Sequence, residues 1–266
     1  MNYIDMHSHL NLSPLWEERK EVVSKMREAG ISTITVGVDF EMSERAIQLA
    51  QEYPDVCIGA TVGQHPNDNR YEVFEYEKYL ALAKDKNVVA IGECGLDYFR
   101  LKGTPDETAR EKVRQSALFR AHVRLATETR LPLMIHARPS KDSRSDTYMD
   151  VLDILEEEKF TGKADFHFYV GDLETTKKIV AKGYSMSFDG PITFTDEYNE
   201  VIQYTPLPQI MCETDAPYAT PVPYRGQTNY PYYVGEVYKK IAQIKNLPET
   251  EVTEQVVKNI QTFFQI

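Results

Sequence analysis

Two histidines, His7 and His9, stand two positions apart near the start of the chain, in the stretch DMHSHL. They follow a short apolar run and therefore lie at the end of a predicted strand. Side chains two positions apart in an extended segment point to the same side, and two imidazoles on one side can bind one metal ion. The pair raises the hypothesis of a metal site whose remaining ligands come from elsewhere in the chain.

Histidine and carboxylate side chains recur at the ends of other predicted strands. Short runs of β-branched and apolar residues bounded by Gly, Pro or polar residues are typical of strands. The predicted strands are Tyr3–His7, Ser32–Gly37, Val56–Val62, Val88–Glu93, Leu133–His136, Ala164–His167, Gly183–Phe188 and Gln209–Cys212. Five of the six histidines stand at a strand end or just after one, as do Glu93 and Asp215. A random distribution of histidines along the chain would not place five of six at or just after strand ends.

Amphipathic segments between these strands predict helices, because their apolar residues recur at helical spacing. The predicted helices are Pro14–Ala29, Asp106–Thr129, Met149–Glu158 and Leu173–Lys182, with two more in Tyr232–Ile266. Strand–helix alternation indicates a parallel sheet, and a length of 266 residues suits a closed barrel. We therefore expect an α/β fold, a (β/α)8 TIM barrel forming one domain over residues 1–266, with extra C-terminal helices. A doubly wound open sheet is disfavoured because no GxGxxG follows the first strand.

Residues at the strand ends of such a barrel converge on its mouth, where catalytic groups lie. The expected ligands are His7, His9, Glu93, His136, His167 and Asp215. His136 and His167, on adjacent strands, would hold a second ion, and Glu93 would bridge the two ions. Mixed nitrogen and oxygen ligation suits Zn, Mn or Fe without selecting among them. Two ions about 3.5–4 Å apart can activate a water and stabilise the attacking and leaving oxygens of a hydrolysis.

Other residues in these stretches have simpler interpretations. His122 falls inside a helix pattern, and we expect it to be partly exposed and without a role in the site. Asp5 is expected to hydrogen-bond loop backbone. Tyr98, Phe99 and Tyr218 are aromatic residues near the predicted mouth, and packing is the favoured interpretation for each, with stacking on a nucleobase as the alternative.

The net charge, the cysteines and the apolar runs of the chain limit the partners and the cellular compartment that we expect for it. The formal charge of −11 argues against broad electrostatic binding to nucleic acid or to an anionic membrane. Cys57, Cys94 and Cys212 are widely spaced in apolar surroundings, as expected of reduced core cysteines. No signal peptide and no apolar run long enough to span a membrane is evident. We expect a cytoplasmic protein without a membrane partner, and a monomer is compatible with the sequence.

Seven stretches of the chain, taken together, resemble one known family. They are DMHSHL, GQHP, IGECGLDYF, LPLMIHARP, FHFYVG, ETDAPY and YRGQTNYPYYVGEV. They resemble the TatD-type metal-dependent hydrolases, TIM-barrel members of the amidohydrolase superfamily that are described mostly as deoxyribonucleases. The stretches follow the family's order from residue 4 to about residue 240, so that the resemblance covers nearly the whole chain.

The resemblance implies a role for each matching residue. The implied ligands are His7, His9 and Asp215 for one divalent metal and His136 and His167 for the second, with Glu93 as the bridge. The implied catalytic residues are Asp215, as the proton acceptor, and Glu93. The implied substrate contacts are His65, facing phosphate, Arg138 and Arg225, and the implied supporting residues are Asp97, Glu213 and Asn229. The metals would be two divalent ions such as Mg, Mn or Zn.

The chain departs from the family pattern at two of these stretches. Asn11 replaces the usual aspartate after the histidine pair, and HFYVG replaces the usual HCFSG. Neither change falls on an expected ligand, so that we expect the metal site to be retained. Both changes bear on the choice of substrate.

Three functions follow from these observations. The first is a deoxyribonuclease whose metal-activated water attacks a DNA phosphodiester, at an accessible end or a single-stranded stretch. The second is hydrolysis of a carbonyl ester or amide, such as a D-aminoacyl-tRNA, on the same site. The third is a module that binds metal or a partner without turnover, which is disfavoured because all six expected ligands are present.

Overall fold

The computed structural model describes residues 3–67 and 72–266. Over these residues, eight parallel strands pair in chain order from β1 to β8. They are β1 Tyr3–Ser8, β2 Ile31–Thr35, β3 Cys57–Val62, β4 Val88–Asp97, β5 Leu133–Arg138, β6 Ala164–His167, β7 Ser185–Phe188 and β8 Ile210–Cys212. A parallel bridge between Ser8 and Ala216 joins the last segment to the first. The predicted (β/α)8 barrel is confirmed.

Helices follow the strands and pack around the barrel. They are α1 Leu15–Ala29, α2 Phe40–Glu52, α3 Tyr76–Leu82, α4 Pro105–Thr129, α5 Asp146–Glu157, α6 Leu173–Ala181, α7 Asn199–Tyr204, α8 Val234–Lys245 and α9 Glu249–Phe264. The sequence patterns did not predict α2, α3 or α7, and α3 and α7 are short. The predicted pair of C-terminal helices, α8 and α9, is confirmed. Among the described residues, no helix combines the length and apolar character of a membrane span.

Local sequence determines where the longest helix begins. Thr104 and Glu107 form a reciprocal capping box at the start of α4, with Pro105 in the first turn. The Thr104 hydroxyl accepts a hydrogen bond from the Glu107 amide, and Glu107 accepts one from the Thr104 amide at 2.7 Å. These bonds satisfy donors that a helix start leaves unpaired. They define the beginning of a helix that reaches two loops of the barrel mouth.

Two expectations about buried residues have different outcomes. Cys57, Cys94 and Cys212 are free and buried, as expected of core cysteines. The expectation for His122 is wrong, because its side chain is completely buried. Helix α4 places the His122 ring in the interior, where it contacts the aromatic rings of Phe74 and Tyr79.

Close contact between β4 and β5 depends on Gly95. This residue pairs with His136 across the two strands and has a φ of +139°. A Cβ at this position would lie 2.0 Å from the His136 carbonyl oxygen. Only glycine combines this backbone conformation with this approach. Gly95 therefore lets the strand that carries Glu93 lie directly against the strand that carries His136.

Replacing Gly95 by alanine should lower the free energy of unfolding by about 3 kcal/mol or more, since backbone strain and a steric clash add. Gly183→Ala is the matched control. Gly183 also has a positive φ, of +76°, but a Cβ added there would have no other atom within 4 Å, so about 1 kcal/mol is expected. Urea unfolding of both variants measures the difference, and equal losses would contradict the proposed clash.

Candidate metal centre

The reactive side chains meet at the carboxyl ends of the strands. A cavity of about 660 Å³ opens there. The predicted residues that line it are His9, His65, Glu93, His136, Arg138, His167 and Asp215. His7 lies beside them and is completely buried. The expected ligands are therefore brought together from five strands or the residues directly after them. The prediction that β4 ends at Glu93 is wrong, because the strand continues to Asp97.

The first group of ligands joins the two ends of the chain. The Nε2 atoms of His7 and His9 are 3.1 Å apart, and Asp215 Oδ1 lies 3.6 and 3.3 Å from them. The Asp215 amide donates to the His7 carbonyl at 3.0 Å, and the His9 amide donates to the Ala216 carbonyl at 2.7 Å. Asp215 itself has a left-handed backbone, with a φ of +51°. Backbone hydrogen bonds thus hold all three side chains around one point.

The second group meets at Glu93. Glu93 Oε1 lies 2.8 Å from His136 Nδ1 and 2.8 Å from His167 Nε2. Its other oxygen, Oε2, lies 3.5 Å from His7 Nε2 and 3.6 Å from His9 Nε2. One carboxylate therefore faces both pairs of imidazoles. This is the position expected of a bridging ligand.

The outward ring nitrogens show that the donor set fits metal ions. His9 Nδ1 lies 3.2 Å from the Val36 carbonyl, and His167 Nδ1 lies 3.4 Å from Glu213 Oε1. Similarly, His136 Nε2 lies 3.4 Å from Asp97 Oδ2. A proton on each outward nitrogen leaves a lone pair on the inward one.

These inward nitrogens face one another. His136 Nδ1 and His167 Nε2 are 3.2 Å apart, as close as the inward nitrogens of His7 and His9. Two neutral imidazoles with facing lone pairs cannot hydrogen-bond to each other, whereas a cation between them satisfies both. Histidine held by an outer acceptor is the usual arrangement of metal-binding imidazoles. The residues present fit divalent metal ions.

The pKa shifts of two carboxylates in this cluster also favour the binding of cations. Burial alone would raise the pKa of Glu93, but the positive charge that the neighbouring imidazoles carry when protonated, above all His167 and His65, lowers it well below its usual range. Burial likewise opposes ionisation of Asp215, and its contact with His9 lowers its pKa. Both carboxylates are therefore anionic at neutral pH. Their negative charge favours cations at the cavity floor.

Comparison with known proteins agrees with this geometry. A family model described as TatD related DNase matches residues 4–265. The chain belongs to the TatD family. It is 33% identical over 270 residues to the uncharacterized metal-dependent hydrolase YabD of Bacillus subtilis (strain 168), with 98% of each chain covered. It is 35% identical over 273 residues to the uncharacterized metal-dependent hydrolase YcfH of Escherichia coli (strain K12), covering 100% of this chain and 97% of the relative.

Solved structures extend the comparison. The chain superposes on YjjV, a TatD homologue from Escherichia coli k12, with a TM-score of 0.87 at 25% identity, covering 99% of this chain and 98% of the other. A TatD family hydrolase of Entamoeba histolytica shares the fold, with a TM-score of 0.83 at 21% identity, over 99% and 98% of the two chains. This TatD-family chain is a metal-dependent hydrolase.

Glu213 lies behind two of the histidines that are expected to bind metal. Its Oε1 faces His167 Nδ1 and accepts a hydrogen bond from the Phe168 amide at 2.7 Å. Its Oε2 lies 3.9 Å from His7 Nδ1 and accepts a hydrogen bond from the Ser187 hydroxyl at 2.8 Å. The completely buried Glu213 thus lies beside one histidine from each group and is within hydrogen-bonding distance of His167. Asp97 has the corresponding place behind His136.

The tautomer of His65 follows from its surroundings. Its Nδ1 accepts a hydrogen bond from the Asn67 amide at 3.2 Å, so that the neutral ring carries its proton on Nε2. Nε2 lies 3.6 Å from Glu93 Oε1, beside the cavity. His65 is therefore placed to donate a hydrogen bond to a bound anion. The same tautomer disfavours His65 as a metal ligand.

Two residues of α4 position the mouth of the barrel, and the sequence patterns predicted neither role. Gln115 accepts a hydrogen bond from the Asp97 amide at 2.9 Å and donates to the Asp97 carbonyl at 3.2 Å. His122 Nε2 accepts a hydrogen bond from the Gln64 amide at 2.9 Å. Their spacing of seven positions, two helical turns, places both on one face of α4. The seven-residue spacing of Gln115 and His122 is the sequence feature from which their shared position could have been predicted.

The predicted site residues Asn229 and Arg225 have different environments, and Asp5 hydrogen-bonds loop backbone as expected. Asn229 is buried, and its amide donates hydrogen bonds to the Thr214 and Tyr218 carbonyls at 2.8 and 2.6 Å. Asp5 accepts hydrogen bonds from the amide and hydroxyl of Thr214 at 2.9 and 2.6 Å. These contacts hold the segment around Asp215. Arg225 instead stacks on an aromatic ring of a neighbouring loop and lies outside the described cavity lining.

Asn11, which departs from the family pattern, forms two hydrogen bonds to the backbone. The Asn11 amide donates hydrogen bonds to the Val36 and Met42 carbonyls at 3.0 and 2.8 Å, which an aspartate could not do.

Packing is the correct interpretation for the buried Tyr98. Phe99 and Tyr218 contact Arg138 and His9 and also line the cavity, with 39% and 56% of their surface exposed, so that both interpretations stay open for them.

Replacing Glu213 by glutamine should weaken divalent-metal binding roughly 10- to 100-fold, because the carboxylate behind His167, which also lies 3.9 Å from His7 Nδ1, loses its charge. Calorimetric titration of metal-free protein with Mn²⁺ or Zn²⁺ measures the affinity. Glu52→Gln makes the same change at an exposed residue of α2 and should leave the affinity unchanged. Equal affinities for wild type and Glu213→Gln would contradict the role of Glu213.

His122 should make stability depend on pH. Burial lowers its pKa from 6.5 to about 4, so that between these values the unfolded chain binds a proton that the folded chain does not. The free energy of unfolding should therefore fall by roughly 3 kcal/mol as the pH drops through this window. His122→Gln should lack this component. Urea unfolding at several pH values would give parallel curves for both proteins if the assignment were wrong.

Proposed function

We propose that this TatD-family hydrolase cleaves DNA phosphodiesters at a two-metal site. The observation that carries the proposal is the position of Glu93 between two pairs of imidazoles, at the floor of an open cavity. The description of the matching family model, TatD related DNase, supports the choice of substrate. An accessible end or a single-stranded stretch of DNA is the expected substrate, because the reactive groups lie inside the cavity.

Each ligand group would hold one ion. His7, His9 and Asp215 would bind the first ion, His136 and His167 the second, and the Glu93 carboxylate both. When bound, two divalent ions supply an activated water and neutralise charge on the phosphate oxygens. The chain's own residues determine where these ions would lie and which lone pairs face them.

Proton transfer and substrate placement fall to residues that line the cavity. Asp215 is ionised at neutral pH and faces the first ligand group, so that it is the proposed proton acceptor for the attacking water. His65 would donate its Nε2–H to a non-bridging phosphate oxygen. Arg138 lies two positions after His136 on the same strand and faces the same side. Its guanidinium suits a phosphate group.

Activity assays on Glu93→Gln and Asp215→Asn test the proposal. Both variants keep the side-chain shape but remove a charge, and single-turnover cleavage of end-labelled single-stranded DNA with Mg²⁺ or Mn²⁺ should slow roughly 10²- to 10⁴-fold. Circular dichroism checks the fold of each variant. Lys84→Ala, an exposed change at the opposite end of the barrel, should retain full activity.

The choice of substrate is tested with the same preparations. Wild-type protein loaded with metal is incubated with single-stranded DNA and, separately, with D-aminoacyl-tRNA. We expect the DNA to be consumed and the aminoacyl ester to persist. Deacylation without DNA cleavage would overturn the nuclease proposal in favour of carbonyl ester hydrolysis, and full nuclease activity in folded Glu93→Gln would overturn the mechanism.

A further inference from the structure

We propose that Thr61 positions the bridging carboxylate of the metal centre. Its hydroxyl fixes the backbone directly before Glu93, so that the two oxygens of one carboxylate reach both pairs of imidazoles. Thr61 acts through the backbone of β4 and is therefore a positioning residue and not a ligand. The inference rests on the two-metal site proposed above and does not depend on the identity of the substrate.

The strand pairing around Glu93 is irregular. Between Ile91 and Cys94, three steps along β4 oppose two steps along β5. The pairing of β4 with β3 ends at Ile91. Both ladders therefore leave out the peptide group that joins Gly92 to Glu93. An extra residue of this kind, a β-bulge, changes the direction of a side chain, and bulges are frequent next to active sites.

Thr61 and Gly37 supply the hydrogen-bond partners of this bulge. The Thr61 hydroxyl donates to the Gly92 carbonyl at 2.6 Å, and the Glu93 amide donates to the Gly37 carbonyl at 2.8 Å. The Gly37 amide in turn donates to Thr61 Oγ1 at 3.2 Å. The three bonds surround the peptide group before Glu93. One hydroxyl thus joins the segment after β2, strand β3 and the bulge in β4.

The surroundings of Thr61 make its hydroxyl difficult to replace. Thr61 is completely buried, and a Cβ on Gly63 would lie 2.6 Å from the Gly92 carbonyl carbon. The segment after β3 therefore packs directly against the bulge. A buried carbonyl that loses its donor carries the full cost of its desolvation. The bulge can lower that cost by moving, and any such movement displaces Glu93.

A displaced Glu93 would affect both ligand groups at once. Its Oε1 lies 2.8 Å from the facing nitrogens of both histidines in the second group. Its Oε2 lies 3.5 and 3.6 Å from the facing nitrogens of the two histidines in the first group. Loss of the Thr61 hydroxyl is therefore expected to weaken the binding of two ions together, although Thr61 itself contacts neither.

Calorimetric titration of metal-free protein with Mn²⁺ tests the inference. Thr61→Val keeps the shape of the side chain but removes the hydroxyl, and it should weaken the binding of both ions roughly tenfold. Thr61→Ser keeps the hydroxyl and should bind Mn²⁺ as the wild type does. Thr61→Ala removes the hydroxyl without placing a methyl group against the Gly92 carbonyl. It should behave as Thr61→Val and replaces that variant if circular dichroism shows that the valine protein does not fold.

Electron paramagnetic resonance gives a second readout. Two Mn²⁺ ions that share one carboxylate should give the spectrum of an exchange-coupled pair, and Thr61→Val with both sites filled should give the spectrum of separate ions. Thr147→Val is the matched control. Thr147 is completely buried on α5, and among the described residues its hydroxyl has no hydrogen-bond partner, so that this variant should keep the wild-type affinity and spectrum.

The outcomes separate the positioning role from a purely structural one and from the proposed function. Lower stability of Thr61→Val or Thr61→Ala with wild-type Mn²⁺ affinity and an unchanged spectrum would overturn the positioning role. A wild-type protein that binds a single ion would overturn the two-metal site and this inference with it. Failure of the wild type to cleave DNA, with both effects of Thr61→Val observed, would overturn the nuclease function alone.

Discussion

The contact on which the site depends is that of the Glu93 carboxylate with two pairs of imidazoles. One of its oxygens faces His136 and His167, and the other faces His7 and His9. A buried carboxylate is costly unless it is paired, and here positive partners or metal ions must supply the compensation. The strand carrying Glu93 must therefore lie against β5, which Gly95 permits. The barrel brings the other ligands to the same point.

Outer residues convert this cluster into a directed set of ligands. Glu213 and Asp97 each face the outer nitrogen of a ligand histidine, so that the lone pairs point inward. Helix α4 then holds the backbone at the ends of two adjacent strands, β3 and β4, through His122 and Gln115. The groups that touch substrate in the proposed mechanism are thus positioned by residues that never contact it.

The sequence predicts the barrel and the set of strand-end residues, because both follow from local periodicity and order along the chain. His7 and His9 face one side of a strand whatever the remainder of the chain does. His122 could not be predicted, since its partner, the Gln64 amide, is 58 positions away and meets it only through packing. The same holds for Arg225, whose ring partner belongs to another loop. Asn11 also needed the fold, because its two carbonyl acceptors lie on other segments.

The seam between the first strand and the segment after β8 has a consequence for biosynthesis. His7 and Asp215 are joined by a backbone hydrogen bond, and Ala216 accepts one from His9. The first ligand group is thus divided between the beginning of the chain and a point about four-fifths along it. A nascent or truncated polypeptide that stops before Asp215 lacks the carboxylate that faces both histidines of the first group. The full cluster of imidazoles and carboxylates therefore forms only after synthesis has passed Asp215 and the segment after β8 has paired with β1.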